Sequence, residues 1–520
     1  MLFDKVLLCL IDFEPNYHFM IKSILTLDKR VILLAFIIIT GALSSCRQFK
    51  KEAQEKEDKN VTQTKEINPW DSLSLPVSID FDSIRQKGKL VAIVDNTSTS
   101  YFLYKGQPMG FEYELLSMLA NYLEVELEII INTDILESAA MLNSGQGDII
   151  AHNLTVLKSR KKALNFTQPQ YYVKQVLVQR KPEGWPTMKR HQLDAKLIRN
   201  PIQLIGKEVH VKKNSSYKKR LMNLSEEIGG NIIITEENDD IPTETLIRWV
   251  SEGKIPYTIA DNDVANLNAT YYSNLDTETE ISFPQQIAWA VRKNSPQLLE
   301  KVNEWLKNVK QRPAYNVIYN KYFQSPKWLK HRNKSDYSSL AGTRISPYDD
   351  LIKKGAEKIG WDWKLLAALI YRESKFNPQA ESWAGAVGLM QLLPETGELY
   401  GAEDLTDPAQ NIEAGTRYLK WLDELWQERI PDQEERIKFI LASYNVGQGH
   451  VLDAYRLAKK YDKNHRLWKD NVEYFLIRKC NEEYFDDPVV ETGYCRGDEP
   501  VNYVRIIMKR FEQYQQLLTS

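Results

Sequence analysis

One glutamate lies on the apolar side of a predicted helix in the C-terminal third of the chain. In helical register Leu366, Leu369 and Ile370 share a face with Glu373, at positions i, i+3, i+4 and i+7. An ionised carboxylate is costly to bury unless it is paired, so burial favours its protonated form. Glu373 is therefore either a buried acid suited to proton transfer or a helix-end side chain that bends into solvent beside the lysine two residues on.

The segment that must position Glu373 is rich in helix signals. The stretch SPYDDLIKKGAEKIG carries Ser and Pro at a helix start and acids in the first turn. NIEAGTRYLKWLDELW and RIKFILASYNVG continue with helical periodicity, and no strand-like alternation is convincing. We therefore predict an all-α domain over residues 345–520, preceded by a polar linker over 326–344.

The middle of the chain, residues 79–325, alternates strand-like and helix-like stretches. KLVAIVD is a short β-branched run, GFEYELLSMLANYLEV has an apolar helical stripe, and LEIIIN follows as a further strand. This alternation is typical of an α/β module. The chain is thus predicted to be multidomain, with an α/β module followed by the all-α domain.

Composition excludes some classes of function. Lys and Arg total 68 against 70 Asp and Glu in 520 residues, a balance that does not suggest nucleic-acid binding. With 43% hydrophobic and 27% charged residues, the chain is of the ordinary globular class. We predict no cofactor, no metal site and no nucleic-acid partner.

The N-terminal region has the order of a secretory signal. Lys29 and Arg30 precede the apolar run VILLAFIIITGALSS, which is shorter than the roughly 20 residues needed to span a bilayer. The following segment, 47–78, is charged and polar and is predicted to be a flexible tether. Met20 opens a better n-region than Met1 does, so translation is expected to start there.

The end of the apolar run, LSSC, resembles the bacterial lipobox. The resemblance implies that residues 1–46 form a lipoprotein signal and that Cys46 is lipidated. The protein would then be anchored at the periplasmic face of the outer membrane, with Arg47 rather than Asp after the cysteine. An uncleaved N-terminal anchor is the alternative. Export would also make a disulfide between Cys480 and Cys495 possible, with free thiols as the alternative.

The middle module resembles the family-3 bacterial extracellular solute-binding proteins, which are two-lobed periplasmic receptors. The resemblance rests on GFEYELLSMLANYL, LNSGQGDIIAHNLTVLKSRKKALNFTQP, LIGKEVHVKKNSSYKKRL and EGKIPYTIADNDVA. It implies that Thr155 and Arg160 hold a ligand carboxylate and that Asp261 takes a ligand amine, which suits bidentate arginine chemistry. The expected ligand is an amino acid or a muropeptide. Without the resemblance, Arg160 would be read as one more solvated basic residue.

The C-terminal segment resembles the soluble lytic transglycosylase domain, a lysozyme-like fold that cleaves peptidoglycan glycan strands. Five blocks occur in the family's order: RESKFNP, SWAGAVGLMQLLPET, DPAQNIEAGTRYL, ASYNVG and EPVNYV. The resemblance implies that Glu373 is catalytic. It assigns the saccharide groove to Ser382, Gly388, Leu389, Met390, Gln391, Tyr444, Asn445 and Tyr503. Pro500 departs from the family, in which many members have threonine.

The chemistry of Glu373 agrees with this resemblance. A glutamate that protonates a leaving group at neutral pH needs a pKa raised by about two units, and an apolar helix face supplies the desolvation. Ordinary glycosidases use two carboxylates, but the matched blocks contain only one at a catalytic position. The family's reaction fits, since the C6 hydroxyl of MurNAc serves as nucleophile and the product is 1,6-anhydro-MurNAc.

Several alternatives stay open on sequence alone. A hydrolytic muramidase would carry much of the same pattern, and so would a non-catalytic receptor that grips peptidoglycan. Aromatic residues near the groove could stack on sugars, although aromatics at helical spacing more often belong to a core; they are Trp361, Trp363, Tyr371, Trp383 and Tyr400. The α/β module is expected to sense a ligand and regulate the enzyme, unless it is a vestigial spacer.

Overall fold

The structure is a computed structural model that describes residues 69–238, 241–325, 337–339 and 344–518. The predicted signal with Cys46, most of the tether and most of the linker lie outside the described residues. Within the described ranges, no helix is long and apolar enough to cross a membrane.

Two five-stranded sheets form the two lobes of the α/β module. The strands are β1 (Lys89–Val94), β2 (Phe102–Tyr104), β3 (Gln107–Met109), β4 (Glu126–Ile131), β5 (Ile149–Ile150), β6 (Leu164–Phe166), β7 (Tyr171–Val173), β8 (Gln175–Arg180), β9 (Glu208–Lys212), β10 (Ile233–Glu237), β11 (Tyr257–Asp261), β12 (Leu275–Glu280), β13 (Gln285–Ile287) and β14 (Ala290–Arg292).

The first sheet has the order β4-β1-β5-β14-β6 and the second the order β10-β9-β11-β8-β12. In the first, β1 runs parallel to β4 and β5, whereas β14 is antiparallel to β5 and β6. The chain crosses to the second lobe after β7 and returns at β13, and these two strands pair with each other. The predicted two-lobed α/β architecture is confirmed.

Helices cover the sheets of the module. They are Phe81–Lys87, Phe111–Tyr122, Ile135–Ser144, Arg160–Ala163, Arg190–Asp194, Ser216–Ile228, Thr243–Glu252, Asn262–Ala269, Pro296–Val309 and Pro313–Tyr319. The sequence assigns the segment from Pro69 to Ser78 to the tether, but this segment is part of the first lobe, which contains β1. Trp70 is buried against the first sheet, and the Val77 N–H donates to the Asn143 carbonyl at 2.8 Å. Burial of the indole explains why this end of a polar segment is packed.

The described C-terminal residues are helical, as predicted. The helices are Asp349–Ile359, Trp363–Ser374, Pro394–Leu399, Pro408–Gln427, Gln433–Val446, Gln448–Lys460, Glu473–Arg478, Glu482–Phe485 and Asp498–Leu517. Extended pairing among residues 344–518 is limited to isolated bridges that join Val387 to Glu381 and to Leu392. These bridges shape the loop that follows the Glu373 helix.

The Trp363–Ser374 helix is at the centre of this domain. The Asp362 side chain caps its start by accepting the Lys364 N–H at 2.9 Å. Its apolar side chains, among them Leu366, Leu369 and Ile370, are fully buried. The final helix, Asp498–Leu517, packs against it and brings a tyrosine to Glu373.

Candidate active site

Glu373 lies at the end of the buried stripe of its helix, with its side chain partly buried. The Tyr503 hydroxyl donates to Glu373 Oε1. Desolvation raises the pKa of Glu373 from 4.5 to about 7, opposed by the Tyr503 hydrogen bond and by the charge of Arg372. The carboxyl therefore does not turn into open solvent, and it is poised to exchange a proton near neutral pH.

Two tyrosines from different helices converge on this region. Tyr503 is 2% exposed, and the Tyr444 hydroxyl donates to the Met390 carbonyl at 2.7 Å. Burial, together with the nearby Glu373, raises the pKa of both phenols well above 10. Both side chains therefore remain protonated hydrogen-bond donors.

The loop that carries the Gly-Leu-Met-Gln block is held rigid by its own residues. Gly388 has φ +84°, and a Cβ there would lie 2.1 Å from the Leu405 carbonyl oxygen. Gln391 Nε2 donates to the carbonyls of Ala380 and Gly388 at 2.9 and 3.0 Å. Ser382 Oγ accepts the Ala386 N–H at 3.0 Å. The side chains of Ser382 and Gln391 thus maintain the loop conformation.

Met390 differs from its predicted role. Its side chain is fully buried and lies against Gly415, so its thioether is not accessible to a saccharide. Leu389 is also fully buried, and its carbonyl accepts the Ser374 hydroxyl at 2.8 Å. This hydrogen bond ties the loop to the residue that follows Glu373.

Sequence reasoning missed Asn411, which is fully buried beneath the loop. Its Oδ1 accepts the Met390 N–H at 2.7 Å, and its Nδ2 donates to the carbonyls of Val387 and Leu405 at 3.0 Å each. The residue occurs inside the quoted block DPAQNIEAGTRYL, but nothing local in the sequence shows that its amide reaches this loop. Asn411 therefore fixes the shape of the groove wall.

Asn445 lies apart from these contacts. Its side chain is exposed and lines a cavity with Glu499 and Pro500, one turn before Tyr503. Of the five candidate sugar-stacking aromatics, Trp361 is buried whereas Trp383 is fully exposed, directly after Ser382. Trp383 thus has the ring most available to a saccharide.

The three residues predicted for the α/β module line one cavity between the lobes. Thr155, Arg160 and Asp261 are each 2–4% exposed. Arg160 Nη1 donates to the Thr155 carbonyl at 3.0 Å, and Thr155 Oγ1 donates to Ser216 Oγ at 3.3 Å across the lobes. Asn153 Nδ2 donates to Asp261 Oδ2, also at 3.3 Å.

Five buried atoms of the residues that line this cavity have no hydrogen-bond partner among the described residues, and two of them are Arg160 Nε and Asp261 Oδ1. Burial lowers the pKa of Arg160 to about 10, so the guanidinium keeps its charge. Burial raises the pKa of Asp261, as does the charge of Asp263. A buried donor and a buried acceptor that lack partners are the groups a zwitterionic ligand would satisfy.

Cys480 and Cys495 are free thiols in the structure, so the predicted disulfide is not formed in it. The Cys480 thiol is exposed and donates to the Ile477 carbonyl, whereas Cys495 is buried. The Cys495 N–H donates to the Lys479 carbonyl at 3.3 Å, which keeps the two segments adjacent. The disulfide stays a prediction.

Comparison with known proteins agrees with this division of the chain. Residues 350–467 match the Transglycosylase SLT domain, and residues 90–325 match bacterial extracellular solute-binding proteins, family 3. Membrane-bound lytic murein transglycosylase F of Desulfosudis oleivorans is 34% identical over 86% of this chain and 96% of its own length. The protein of the same name from Saccharophagus degradans is 31% identical over 84% and 83%.

Among solved structures, an ancestral amino acid-binding protein that is a precursor of cyclohexadienyl dehydratase is 24% identical. The match covers 47% of this chain and 99% of that one, with a TM-score of 0.38. Fold and site together define a two-module protein in which a solute-binding-type module precedes a lytic transglycosylase domain. The chain belongs to the membrane-bound lytic murein transglycosylase F family.

Proposed function

We propose that this peptidoglycan lytic transglycosylase cleaves the β-1,4 bond between MurNAc and GlcNAc with Glu373 as its single acid and base. The observation that carries the proposal is the Glu373 carboxyl, whose pKa burial raises to about 7. The groups that shift this pKa are Tyr503 and Arg372, and no carboxylate of the described ranges is among them. Of the residues matched to the family's catalytic positions, Glu373 alone carries a carboxyl group, which favours a mechanism with one.

The steps balance without water. Glu373 gives its proton to the glycosidic oxygen as the bond from that oxygen to C1 of MurNAc breaks. The resulting carboxylate takes the proton of the C6 hydroxyl, whose oxygen bonds to C1. The products are a free GlcNAc hydroxyl and a 1,6-anhydro-MurNAc end, and Glu373 is again protonated.

Tyr503 orients the acid. Because its hydroxyl donates to Oε1, that oxygen accepts and the acidic proton resides on Oε2. The second oxygen is thus the one available to the glycosidic oxygen. When Glu373 becomes a carboxylate, the same hydrogen bond stabilises its charge.

Substitution of Glu373 tests the assignment. Glu373→Gln should lower release of anhydro-muropeptides from purified sacculi by about 10²–10⁴-fold, because an amide cannot exchange the proton. Glu398→Gln is the matched control, since Glu398 is an exposed glutamate of the Pro394–Leu399 helix. Near wild-type release by Glu373→Gln, with the control also active, would refute the role of Glu373.

The α/β module is proposed to sense an amino acid or a muropeptide through its α-amino acid end. Arg160 would hold the carboxylate with Thr155, and Asp261 would hold the amine. The support is that Arg160 and Asp261 are buried in one cavity and each has an unpaired atom there. Ligand binding between two lobes stabilises their closed arrangement.

Closure of the two lobes is proposed to affect the lytic transglycosylase domain through the β2–β3 hairpin. The Gly106 carbonyl at its tip accepts hydrogen bonds from Arg510 Nη1 and the Tyr514 hydroxyl at 2.8 and 2.7 Å. A Cβ on Gly106 would lie 2.7 Å from Phe376 and 2.9 Å from Tyr371, on either side of Glu373 in the sequence. Phe376 itself has φ +62°, a strained conformation that this contact supports.

The hairpin also connects to the cavity. The Phe111 N–H, just after β3, donates to the carbonyl of Thr99, and Thr99 lines the cavity between the lobes. A movement of the lobes can therefore displace the turn after Glu373 through a few covalent and hydrogen bonds. A ligand could alter catalysis by at most its differential affinity for the two arrangements, typically about 1–3 kcal/mol.

Gly106→Ala tests this route. The added methyl should separate the hairpin from Tyr371 and Phe376 and lower the rate of muropeptide release several-fold. Gly88→Ala is the matched control, because Gly88 has a similar φ of +71° but a methyl added there would meet no atom within 4 Å. Equal rates for the two variants would favour a module that acts only as a spacer.

The protein is further proposed to be lipid-anchored through Cys46 at the periplasmic face of the outer membrane. The support is the lipobox-like LSSC sequence and the membrane-bound designation of the relatives. Cys46→Ala should move the protein from the membrane fraction to a soluble or unprocessed form. Unchanged fractionation would refute lipid anchoring.

A further inference from the structure

Among the charged side chains that line the cavity between the lobes, three carboxylates face only two cations that are not exposed, Arg160 and Lys212. Its charged lining consists of three carboxylates and three cations, Asp95, Glu244, Asp261, Arg160, Lys212 and Lys213. Lys213 is exposed. A ligand carboxylate on Arg160 and a ligand amine on Asp261 would leave Asp95 and Glu244 facing Lys212 alone.

Asp95 and Glu244 belong to opposite lobes. Asp95 follows β1 in the first lobe, and Glu244 is the second residue of the Thr243–Glu252 helix in the second. The Ser98 N–H and hydroxyl donate to Glu244 Oε1 at 3.4 and 3.2 Å, which brings the lobes together here. Asp95 Oδ1 is buried without a hydrogen-bond partner in the described ranges.

Among the described residues, no cation neutralises this pair. Within the described residues, neither Asp95 nor Glu244 has a Lys or Arg nitrogen within 4.0 Å. Lys212 Nζ donates instead to the Thr133 carbonyl at 2.8 Å. His152, which also lines the cavity, has its pKa lowered to about 4 by burial, so it adds no positive charge near neutral pH.

The charges of this region act on one another. Burial raises the pKa of Glu244, and the negative charge of Asp95 raises it further. Asp263 lies two residues after Asp261. Burial raises its pKa to about 6, and the negative charge of Glu244 raises it further. Both pKa values are raised, as expected for carboxyl groups that lie near each other with no cation between them.

We propose that the ligand of this cavity carries a second cationic group, beyond its α-amine, which lies between Asp95 and Glu244. The ligand class is a basic amino acid with an ammonium or guanidinium side chain, or a diamino acid. The inference rests on the proposed amino acid site at Arg160 and Asp261. A cation at this position would contact both lobes and so favour their closure.

The expected preference is large enough to measure. A charge-assisted hydrogen bond contributes about tenfold to a hundredfold in affinity. L-lysine should therefore bind at least about tenfold more tightly than L-norleucine, which has the same carbon chain without the terminal amine. Comparing the affinity for meso-diaminopimelate with that for L-lysine distinguishes two ligand classes. The first is a cell-wall diamino acid, which has a further carboxylate, and the second is a free basic amino acid.

The test is calorimetry on the full chain with L-lysine, L-arginine, meso-diaminopimelate and L-norleucine. Glu244→Gln and Asp95→Asn should each reduce the preference for lysine over norleucine to within about threefold while norleucine binding persists, which shows that the variants remain folded. Glu252→Gln, at the opposite end of the same helix as Glu244, is the matched control and should keep the preference.

The outcomes separate the two proposals. Equal binding of lysine and norleucine by the wild type, or a lysine preference that survives both substitutions, would overturn the second cationic site but leave the amino acid site in place. Failure of all four compounds to bind the wild type would overturn both. Equal binding by wild type and Arg160→Ala would remove Arg160 from the site and refute the underlying proposal.

Discussion

The catalytic groove and the cavity between the lobes surround their buried carboxyl groups with different partners. Glu373 has a phenol and one arginine nearby, and its pKa rises to about 7. In the cavity, Arg160 and Asp261 are buried together, so each charge compensates part of the other's desolvation. A buried carboxyl with no strong counter-ion suits proton transfer, whereas complementary charges with unpaired atoms suit recognition.

The two regions also differ in how firmly they are held. The groove loop is fixed by short hydrogen bonds, 2.7 Å from Tyr444 to Met390 and 2.8 Å from Ser374 to Leu389. Side-chain bonds across the cavity at Thr155 and Asn153 are 3.3 Å long. The Lys212 side chain of the second lobe also donates to the Thr133 carbonyl of the first at 2.8 Å, so the lobes are joined by both short and long bonds, whereas the side-chain bonds of the groove loop are 2.7–3.0 Å long.

The largest stability difference between the regions should come from two asparagines. Asn411→Ala removes three buried hydrogen bonds and leaves their backbone partners unsatisfied, so the free energy of unfolding should fall by about 2–4 kcal/mol. Asn153→Ala removes two bonds of 3.3 Å, one to Asp261 across the lobes and one from the Tyr171 hydroxyl, and should cost less than about 2 kcal/mol. Urea unfolding of both variants measures the contrast; equal losses would contradict the difference in rigidity.

Tyr503→Phe tests the difference between the catalytic acid and the ligand site. Loss of the hydroxyl should lower the rate of muropeptide release by about tenfold, since the carboxylate formed during the reaction loses a charge-assisted hydrogen bond. Because that bond lowers the pKa of Glu373, the alkaline limb of the pH–rate profile should move to higher pH. An unchanged profile would mean that Tyr503 does not act on Glu373.

The smallest predicted effect is on stability as a function of pH. The pKa of Glu373 is about 7 in the folded protein against an ordinary 4.5, so the folded state binds more protons in that interval. Its contribution to stability therefore falls as pH rises from about 4.5 to about 7. Glu373→Gln should be more stable than wild type above pH 7 by about 1–2 kcal/mol, discounted for partial exposure, and equal to it near pH 4.

Thermal unfolding of wild type and Glu373→Gln at matched pH values checks this sign. A constant difference across the pH range would show that the carboxyl is not protonated preferentially in the folded state.

Sequence alone predicted the groups whose role depends on local spacing. The position of Glu373 on an apolar helical face indicates a raised pKa without any knowledge of its neighbours. Alternation of strands and helices predicted the α/β module, the family resemblance implied its two lobes, and periodicity predicted the all-α domain. The boundary at residue 79 was less accurate because Trp70, a single apolar residue in a polar segment, packs on the first lobe.

Contacts between distant segments could not be predicted in this way. Asn411 accepts a hydrogen bond from the Met390 N–H, and the two residues are 21 positions apart in the sequence. The Gly106 carbonyl accepts one from the Tyr514 hydroxyl, 408 positions later. Met390 looked like a groove residue because backbone and side-chain roles are indistinguishable in a motif. Likewise, Asp95 and Glu244 meet only after two lobes have folded, so the charge balance of the cavity appears in no local pattern.

The central claim is that one carboxyl group is sufficient because the substrate provides the nucleophile. Digestion of purified sacculi with the full-length protein in heavy-oxygen water, followed by mass spectrometry of the released muropeptides, tests it most directly. The account predicts MurNAc ends that are one water lighter than reducing ends and carry no heavy oxygen. Reducing MurNAc ends that contain heavy oxygen would contradict it and make the enzyme a hydrolytic muramidase.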